Sequence, residues 1–440
     1  MFFAFLARLI GLNQSLWLDE GTSAKVVLKY TLFDIPTKFS VLDFHPPLYY
    51  FFMKLWTAFL GYSEFALREP SVIFSLLTGY YVFLIVKKMR DEKTALWATA
   101  FFLFNPLIMY YSQEARMYMM ATFFLTAAYY YQFIKRDFLK QNLYAALSFG
   151  TFYGSAFFLA GMYGYLILIK DWKTLRKSVI GFFLSILILS PLLFFQLENA
   201  KRALGLVPNW HQVLGSASLK NLFLIPLKFS FGRISFYPKS LYLILSGLWT
   251  FIVFISALLG FRKNFRMGFV FLIPLLLGLI FSFFTPLLQY FRFLYLLPFL
   301  SILVAVSAEN KFVRSIVLTG FIVLSFFYLL FPQNHREDWR TLAFNLDSRT
   351  PIYGIVPSLD ALQYYSAGMS INDLRSLSLT KINFSEIMVI PYTADIYGLD
   401  YHRLLQNQAY ALKYKKTVRG LEYEAWVKKK PSSSGVADTP

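Results

Sequence analysis

Apolar runs of about 16–20 residues, separated by short clusters of lysine and arginine, recur along most of this chain; each is long enough to cross, or nearly cross, a hydrocarbon core of roughly 30 Å. No water reaches that core to satisfy free backbone groups, so such runs fold as helices. A soluble fold would need many helices apolar on every face. Composition agrees: only 15% of the 440 residues are charged, against about a quarter in a soluble domain.

The basic clusters set the orientation. Lys87 to Lys93, Lys135 to Lys140, Lys170 to Lys177, Arg262 to Arg266 and Lys311 to Arg314 occupy short connections, which the positive-inside rule places in the cytoplasm. The +19 net charge is thereby a membrane-orientation signal, with no nucleic-acid partner implied. Spans follow at 68–86, 94–111, 117–134, 178–197, 240–260, 267–285, 293–309 and 315–332, with a tight hairpin between Lys140 and Lys170 turning near Gly154. Residues 1–16 form a short first helix interrupted by Arg8, shorter than a full span, as expected of a chain lacking some residues at its start. The count is about eleven transmembrane helices of the length a bilayer requires. Parity allows only one crossing between Trp17 and Lys87. The stretch 46–61, opening with two prolines and carrying Lys54, reads as an interfacial helix; a true span there is the alternative.

The resulting organisation is an all-α polytopic domain over 1–332, with a first outer loop 17–67 and a further outer loop 198–239. A small mixed α/β domain follows on the extracytoplasmic side over 333–430, where strand-like runs such as Ile352–Val356 and Ile387–Ile390 alternate with polar segments. The Ser-rich tail 431–440 has the composition of a disordered segment.

The chain has no cysteine, which removes thiolate chemistry and Cys-ligated zinc. Its four histidines show no metal-binding spacing. A Walker loop, a Gly-rich nucleotide fingerprint and a DxD-like acidic motif are also lacking. A transferase of this kind would not draw on a cytosolic nucleotide donor held by a familiar motif; a lipid-phosphate donor fits.

Polar residues at the outer ends of the spans are the candidates for chemistry. Asp19 and Glu20 follow the first helix and Trp17, an interfacial anchor; a carboxylate there suits a general base, or simply a solvated pair. Glu114 lies in the short outer loop 112–116 with Arg116. It suits a site, or the first turn of a helix capped by Ser112. Arg68, Lys54 and Arg292 put three cations at outer headgroup depth, where guanidinium and ammonium groups grip phosphate or snorkel to bulk lipid.

Four motifs taken in order resemble one family. Ser15-Leu16-Trp17-Leu18-Asp19-Glu20, His45-Pro46-Pro47-Leu48-Tyr49-Tyr50, Phe65-Ala66-Leu67-Arg68-Glu69-Pro70-Ser71 and Tyr111-Ser112-Gln113-Glu114-Ala115-Arg116-Met117-Tyr118 are similar to those of prokaryotic relatives of the protein O-mannosyltransferases. These are membrane glycosyltransferases of the GT-C class, with the lipid A aminoarabinose transferase a more distant cousin. Glu337-Asp338-Trp339-Arg340 continues the likeness weakly. The resemblance implies a GT-C fold and sugar transfer, with inversion, from a polyprenyl-phosphate donor on the extracytoplasmic face of the plasma membrane. It implies no cofactor, and in the mannosyltransferase branch generally no metal, although a divalent ion is not excluded. Asp19 takes the place of the general base, with Glu20 and Glu114 as supporting acids. Arg68, Arg292, Lys54, Arg116, His45 and Tyr49 fall on the donor-binding side. Relatives often carry a histidine near residue 153, where this chain has Phe152-Tyr153-Gly154. The acceptor, whether protein, lipid or polysaccharide, stays open. The rival readings are a flippase for a lipid-linked glycan and a glycan ligase or polymerase using the same donor type.

Overall fold

The computed structural model of the protein describes residues 1–209, 214–307, 311–347, 349–366 and 368–429. The expected tail at 431–440 lies outside them, as do residues 210–213 of the loop 198–239. The described residues form two compact units. The first takes 1–14, 25–204 and 214–335; the second takes 15–24, 205–209 and 336–429.

The first unit is helical. In chain order its elements and those bordering it are α1 (Phe2–Leu9), α2 (Leu18–Lys29), α3 (Leu48–Leu60), α4 (Glu64–Met89), α5 (Glu92–Leu103), α6 (Pro106–Tyr111), α7 (Tyr118–Tyr130), α8 (Phe138–Thr151), α9 (Ser155–Leu168), α10 (Trp172–Ser178), α11 (Ile180–Leu206), α12 (Leu219–Phe231), α13 (Lys239–Lys263), α14 (Phe265–Phe281), α15 (Leu297–Ser307) and α16 (Lys311–Leu330). Among the described residues, five stretches are long and apolar enough to cross a membrane: Glu64–Met89, Trp172–Ala203, Lys239–Lys263, Tyr290–Ser307 and Lys311–Leu330. Along α11 and α13, Phe183, Leu187, Ile188, Leu248 and Phe251 stay exposed, an apolar surface suited to lipid.

The remaining apolar runs are broken for local reasons. The run 94–111 divides at Asn105-Pro106. Proline cannot donate to the preceding turn, and the Asn105 carboxamide instead accepts from the Leu107 and Ile108 amides at 2.9 and 3.2 Å. The chain turns at 152–154 between α8 and α9. Three acidic residues inside the basic connections are helix caps: Asp91, Asp137 and Asp171 accept from the amides of Thr94, Lys140 and Thr174. Such a cap stabilises a helix by about 1 kcal/mol. Arg8, which interrupts the first apolar run, is fully buried. Its guanidinium donates to Ser75 Oγ and to the carbonyls of Ala4 and Leu103 at 2.8–2.9 Å.

The second unit holds a five-stranded sheet in the order β2-β1-β3-β5-β4, from β1 (Ile352–Gly354), β2 (Ile371–Asp373), β3 (Glu386–Ile390), β4 (Tyr410–Val418) and β5 (Leu421–Lys428). The β1 strand pairs in parallel with β2 and β3, and β5 runs antiparallel to β3 and β4. Side chains alternate across a strand, and both faces are covered. Met388 and Ile390 pack with Trp339, Leu342 and Leu362 from α17 (Trp339–Asn345) and α18 (Asp360–Tyr365). Ile387 and Val389 pack with Trp426, Tyr401 and Leu405, the last two from α19 (Tyr401–Asn407).

Candidate active site

The acidic pair belongs to the second unit, and the sheet-bearing region is what holds it. Trp17 precedes α2, which makes Glu20 the third helical residue. The Glu20 carboxylate reaches back to accept from the Trp17 amide at 3.2 Å, one half of a capping box, and is fully buried. Asp19, in the same turn, stays partly exposed where the helix dipole favours a negative charge.

Four contacts fix this turn. The Leu16 amide donates to the Tyr365 hydroxyl at 2.8 Å. The Arg340 amide donates to Ser15 Oγ at 3.1 Å. The Thr22 hydroxyl donates to Asp360 at 3.2 Å. The Arg336 guanidinium lies 3.6 Å from the centre of the Trp17 ring, so Trp17 is a platform for a cation as well as an apolar anchor. Tyr392 completes the surroundings, its hydroxyl donating to Glu337 at 3.1 Å and lying within electrostatic reach of Asp19 and Arg336. The weak motif at 337–340 thus serves the first motif: Trp339 anchors the core and Arg340 ties Ser15.

In the first unit, many polar residues of the motifs make bonds to backbone. Arg68 is buried and donates to the carbonyls of Leu12 and Gln14 at 2.9 and 2.6 Å. Gln113 donates to those of Arg8 and Ile10 at 2.8 and 2.7 Å. Both hold the exit of α1. Lys54 donates to the Val27 carbonyl at 2.6 Å, closing the last turn of α2, and Arg292 to those of Leu214 and Pro286 at 3.1 and 2.8 Å. The Ser71 hydroxyl donates to the Glu114 carbonyl at 2.5 Å, fixing the loop that carries the buried Glu114 and Arg116. Ser112, expected to cap the following helix, ends the preceding one instead. Its hydroxyl donates back to the Met109 carbonyl at 2.8 Å, because α7 starts only at Tyr118.

Around His45 the structure supplies a carboxylate that the sequence reading passed over. Asp43 takes His45 Nδ1 at 3.2 Å and the Tyr50 hydroxyl at 3.0 Å. Burial pushes the Asp43 carboxyl up, but the nearby His45 and Arg116 outweigh it and hold the group below its ordinary value. Tyr49 is buried against Tyr50, ring centres 5.4 Å apart. At the hairpin, Tyr153 donates to the Gln196 carboxamide at 2.7 Å, and Gln196 in turn donates to the carbonyls of Ser40 and His45. Tyr153 therefore steadies the His45 loop through Gln196.

A second group that motif reading missed is cationic. Gly232 ends α12 with φ +73, and a Cβ there would lie 2.9 Å from the Pro106 side chain. Only glycine fits that close, left-handed turn. It delivers Arg233 to α6, where the guanidinium donates to the Tyr110 hydroxyl at 2.6 Å and lies 4.7 Å from its ring centre. Tyr111, next in the chain, is within electrostatic reach of both Arg233 and Glu114. One helical turn before Gly232, Lys228 is drawn down to about 8, first by burial and then by Arg233 and Lys239. Gathering three cations costs free energy that a bound polyanion would offset. Among the described residues, no group of three or more His, Asp or Glu side chains is placed to hold a metal ion.

The fold and these groups define a membrane-embedded protein with a polar, partly buried set of acids and cations at the ends of its helices. Residues 44–195 match the family model of the dolichyl-phosphate-mannose-protein mannosyltransferases. Among solved structures, the fold is similar to that of ArnT from Cupriavidus metallidurans. For its complex with undecaprenyl phosphate the TM-score is 0.58 at 13% identity, and for its apo state 0.54 at 12%; 96% of both chains is covered in each case. The oligosaccharyltransferase of Archaeoglobus fulgidus, in complex with Zn and sulfate, gives a TM-score of 0.50 at 12% identity over 84% of this chain and 61% of that one. No curated protein matches the chain. These findings agree with the resemblance carried by the four motifs: residues 44–195 are similar to the mannosyltransferase family, and the fold is similar to that of ArnT.

Proposed function

We propose that this protein is an inverting glycosyltransferase that moves a sugar from a polyprenyl-phosphate donor to an acceptor hydroxyl on the extracytoplasmic face. The observation that carries the reading is the cluster in which Arg233 and Lys239 both act on the buried Lys228, with Arg233 brought onto α6 after the turn at Gly232. Its chemistry suits a phosphate, and the ArnT relative binds undecaprenyl phosphate.

The reaction is a single displacement. The Asp19 carboxylate removes the acceptor hydroxyl proton while the oxygen attacks the sugar C1. The bond from C1 to the phosphate oxygen breaks, and its electron pair leaves with the lipid phosphate. Negative charge grows on that phosphate in the transition state, so fixed cations lower the barrier selectively. Arg233 and Lys228 take that role. Arg68, helped by Arg292 or Lys54, takes its share of that phosphate while also holding nearby backbone carbonyls. Asp43 orients His45 by its Nδ1 and leaves Nε2 to face the donor.

The test uses the full chain in proteoliposomes with undecaprenyl-phosphate-linked sugars as donors. Transfer and donor binding are measured for wild type and Asp19→Asn. The variant is expected to bind donor with transfer reduced at least about a hundred-fold, the scale of a lost general base. Wild-type turnover in Asp19→Asn would remove Asp19 from the mechanism.

A further inference from the structure

At the end of α4 remote from Arg68, a cavity of about 400 Å³ is lined by Tyr80, Tyr81, Leu84, Tyr130, Tyr131, Lys135, Asp137 and Lys140. None of these residues serves the reaction above. Tyr80 and Leu84 lie twelve and sixteen residues beyond Arg68, roughly 18–24 Å along a helix. The cavity therefore belongs to the end of the bundle that carries the basic connections.

Its construction goes beyond an aromatic belt with stray lysines. The α-helical turns of α7 give way at Tyr131–Lys135 to a wider π-helical turn, a distortion frequent at functional sites. Arg136 then takes a left-handed conformation, φ 55, which is costly for a residue with a Cβ. This detour sets Lys135 and Lys140 on the same cavity. The Tyr131 ring stacks on Tyr144 at 5.5 Å and 7°, its hydroxyl meets that of Tyr81 at 3.4 Å, and the Lys140 ammonium lies 5.3 Å from its centre. Asp137 is the one acid in the lining. It is already engaged, accepting from the Lys140 amide at 3.1 Å and facing the Lys140 ammonium at 3.6 Å. Lys135 is exposed, as is half of Tyr80. Tyrosine hydroxyls beside two ammonium groups suit a phosphodiester with polar substituents. Leu84 and the tyrosine rings suit the first carbons of an acyl chain.

We infer that this cavity binds the headgroup of an anionic phospholipid, with Lys135 and Lys140 on the phosphate and the hydroxyls of Tyr81 and Tyr131 beside it. The bound lipid would fasten α4, α7 and α8 together at the end of α4 opposite Arg68.

The protein is reconstituted in nanodiscs of equal phosphatidylglycerol and phosphatidylcholine, and retained lipid is read by native mass spectrometry. Wild type is expected to keep phosphatidylglycerol in preference. The double variant Lys135→Gln/Lys140→Gln should lose that preference by on the order of ten-fold, since each lysine near a lipid surface contributes several-fold. Lys87→Gln/Lys88→Gln, which neutralises two lysines outside the cavity lining, should retain it. Equal loss in both double variants, with unchanged thermal unfolding, would reduce the effect to general surface attraction and overturn the site. Displacement of the lipid by inorganic phosphate as effectively as by short-chain phosphatidylglycerol would overturn the lipid assignment. So would an unchanged preference in the Lys135/Lys140 variant.

Discussion

Gly21 packs on Ala361 so closely that a Cβ at residue 21 would lie 2.3 Å from the Ala361 backbone nitrogen. The neighbour is backbone, so it has no rotamer with which to retreat. Gly21→Ala should destabilise the second unit by about 1–3 kcal/mol, the usual cost of overpacking. It should also reduce transfer, because Asp19 is two residues away in the same helical turn. Thermal unfolding and turnover of the variant check this; trimming Ala361 to glycine should not rescue it, since the backbone atom remains.

The two acids of the pair should separate by function. Glu20 accepts from the Trp17 amide, a bond that a glutamine oxygen also makes. Glu20→Gln is therefore expected to keep most stability, whereas Glu20→Ala should lose about 1 kcal/mol with the cap. Asp19→Asn should cost at most about 0.5 kcal/mol, the loss of a charge in the first helical turn, and reduce transfer at least about a hundred-fold. Chemical denaturation alongside turnover distinguishes the two patterns.

Donor affinity should depend on pH through Lys228. Its value of about 8 is below that of an ordinary lysine, so the ammonium is present below pH 8 and lost as pH rises through it. If it meets the donor phosphate, the KM for donor rises between pH 7 and 9. In Lys228→Met the KM should be high throughout, with the step removed. Arg233→Ala should raise the KM by at least about ten-fold and lower kcat as well, as for a contact that strengthens in the transition state.

Asp43→Asn should weaken catalysis without unfolding the protein. The neutral carboxamide still reaches the Tyr50 hydroxyl, but it no longer presents a charge to His45 and Arg116. A fall in kcat of about ten-fold or more, with a circular dichroism spectrum like that of wild type, is the expected result. A kcat equal to wild type would leave Asp43 a structural residue of its loop.

The motifs located most of these groups, because ordered clusters of acids, prolines and arginines survive in a chain otherwise given over to apolar runs. Their roles were less legible. Arg68, Lys54 and Gln113 look alike from sequence as polar residues at a helix end; which orphan carbonyl each one meets depends on how α1 and α2 terminate. Arg233 carried no signal of its own, since its position follows from the left-handed turn at Gly232 and from Asn105, whose side-chain amide donates to the Phe229 carbonyl. Asp43 stood two residues before a recognised motif and outside it. Span counting met a similar limit: hydropathy sees 94–111 as one apolar run and does not register the cap that divides it. In the last hundred residues, β1 and β3 were visible as β-branched and apolar runs, whereas β4 was masked by its lysines, which face outward on an edge strand.

The membership of residues 15–24 in the sheet-bearing unit bears on how such chains can be recombined. A chimera that takes its sheet from a relative and everything before Pro332 from this protein would pair the first acidic turn with a foreign Tyr365, Asp360 and Arg336. The exchangeable module is discontinuous, and a swap that respects it would carry all of its pieces together.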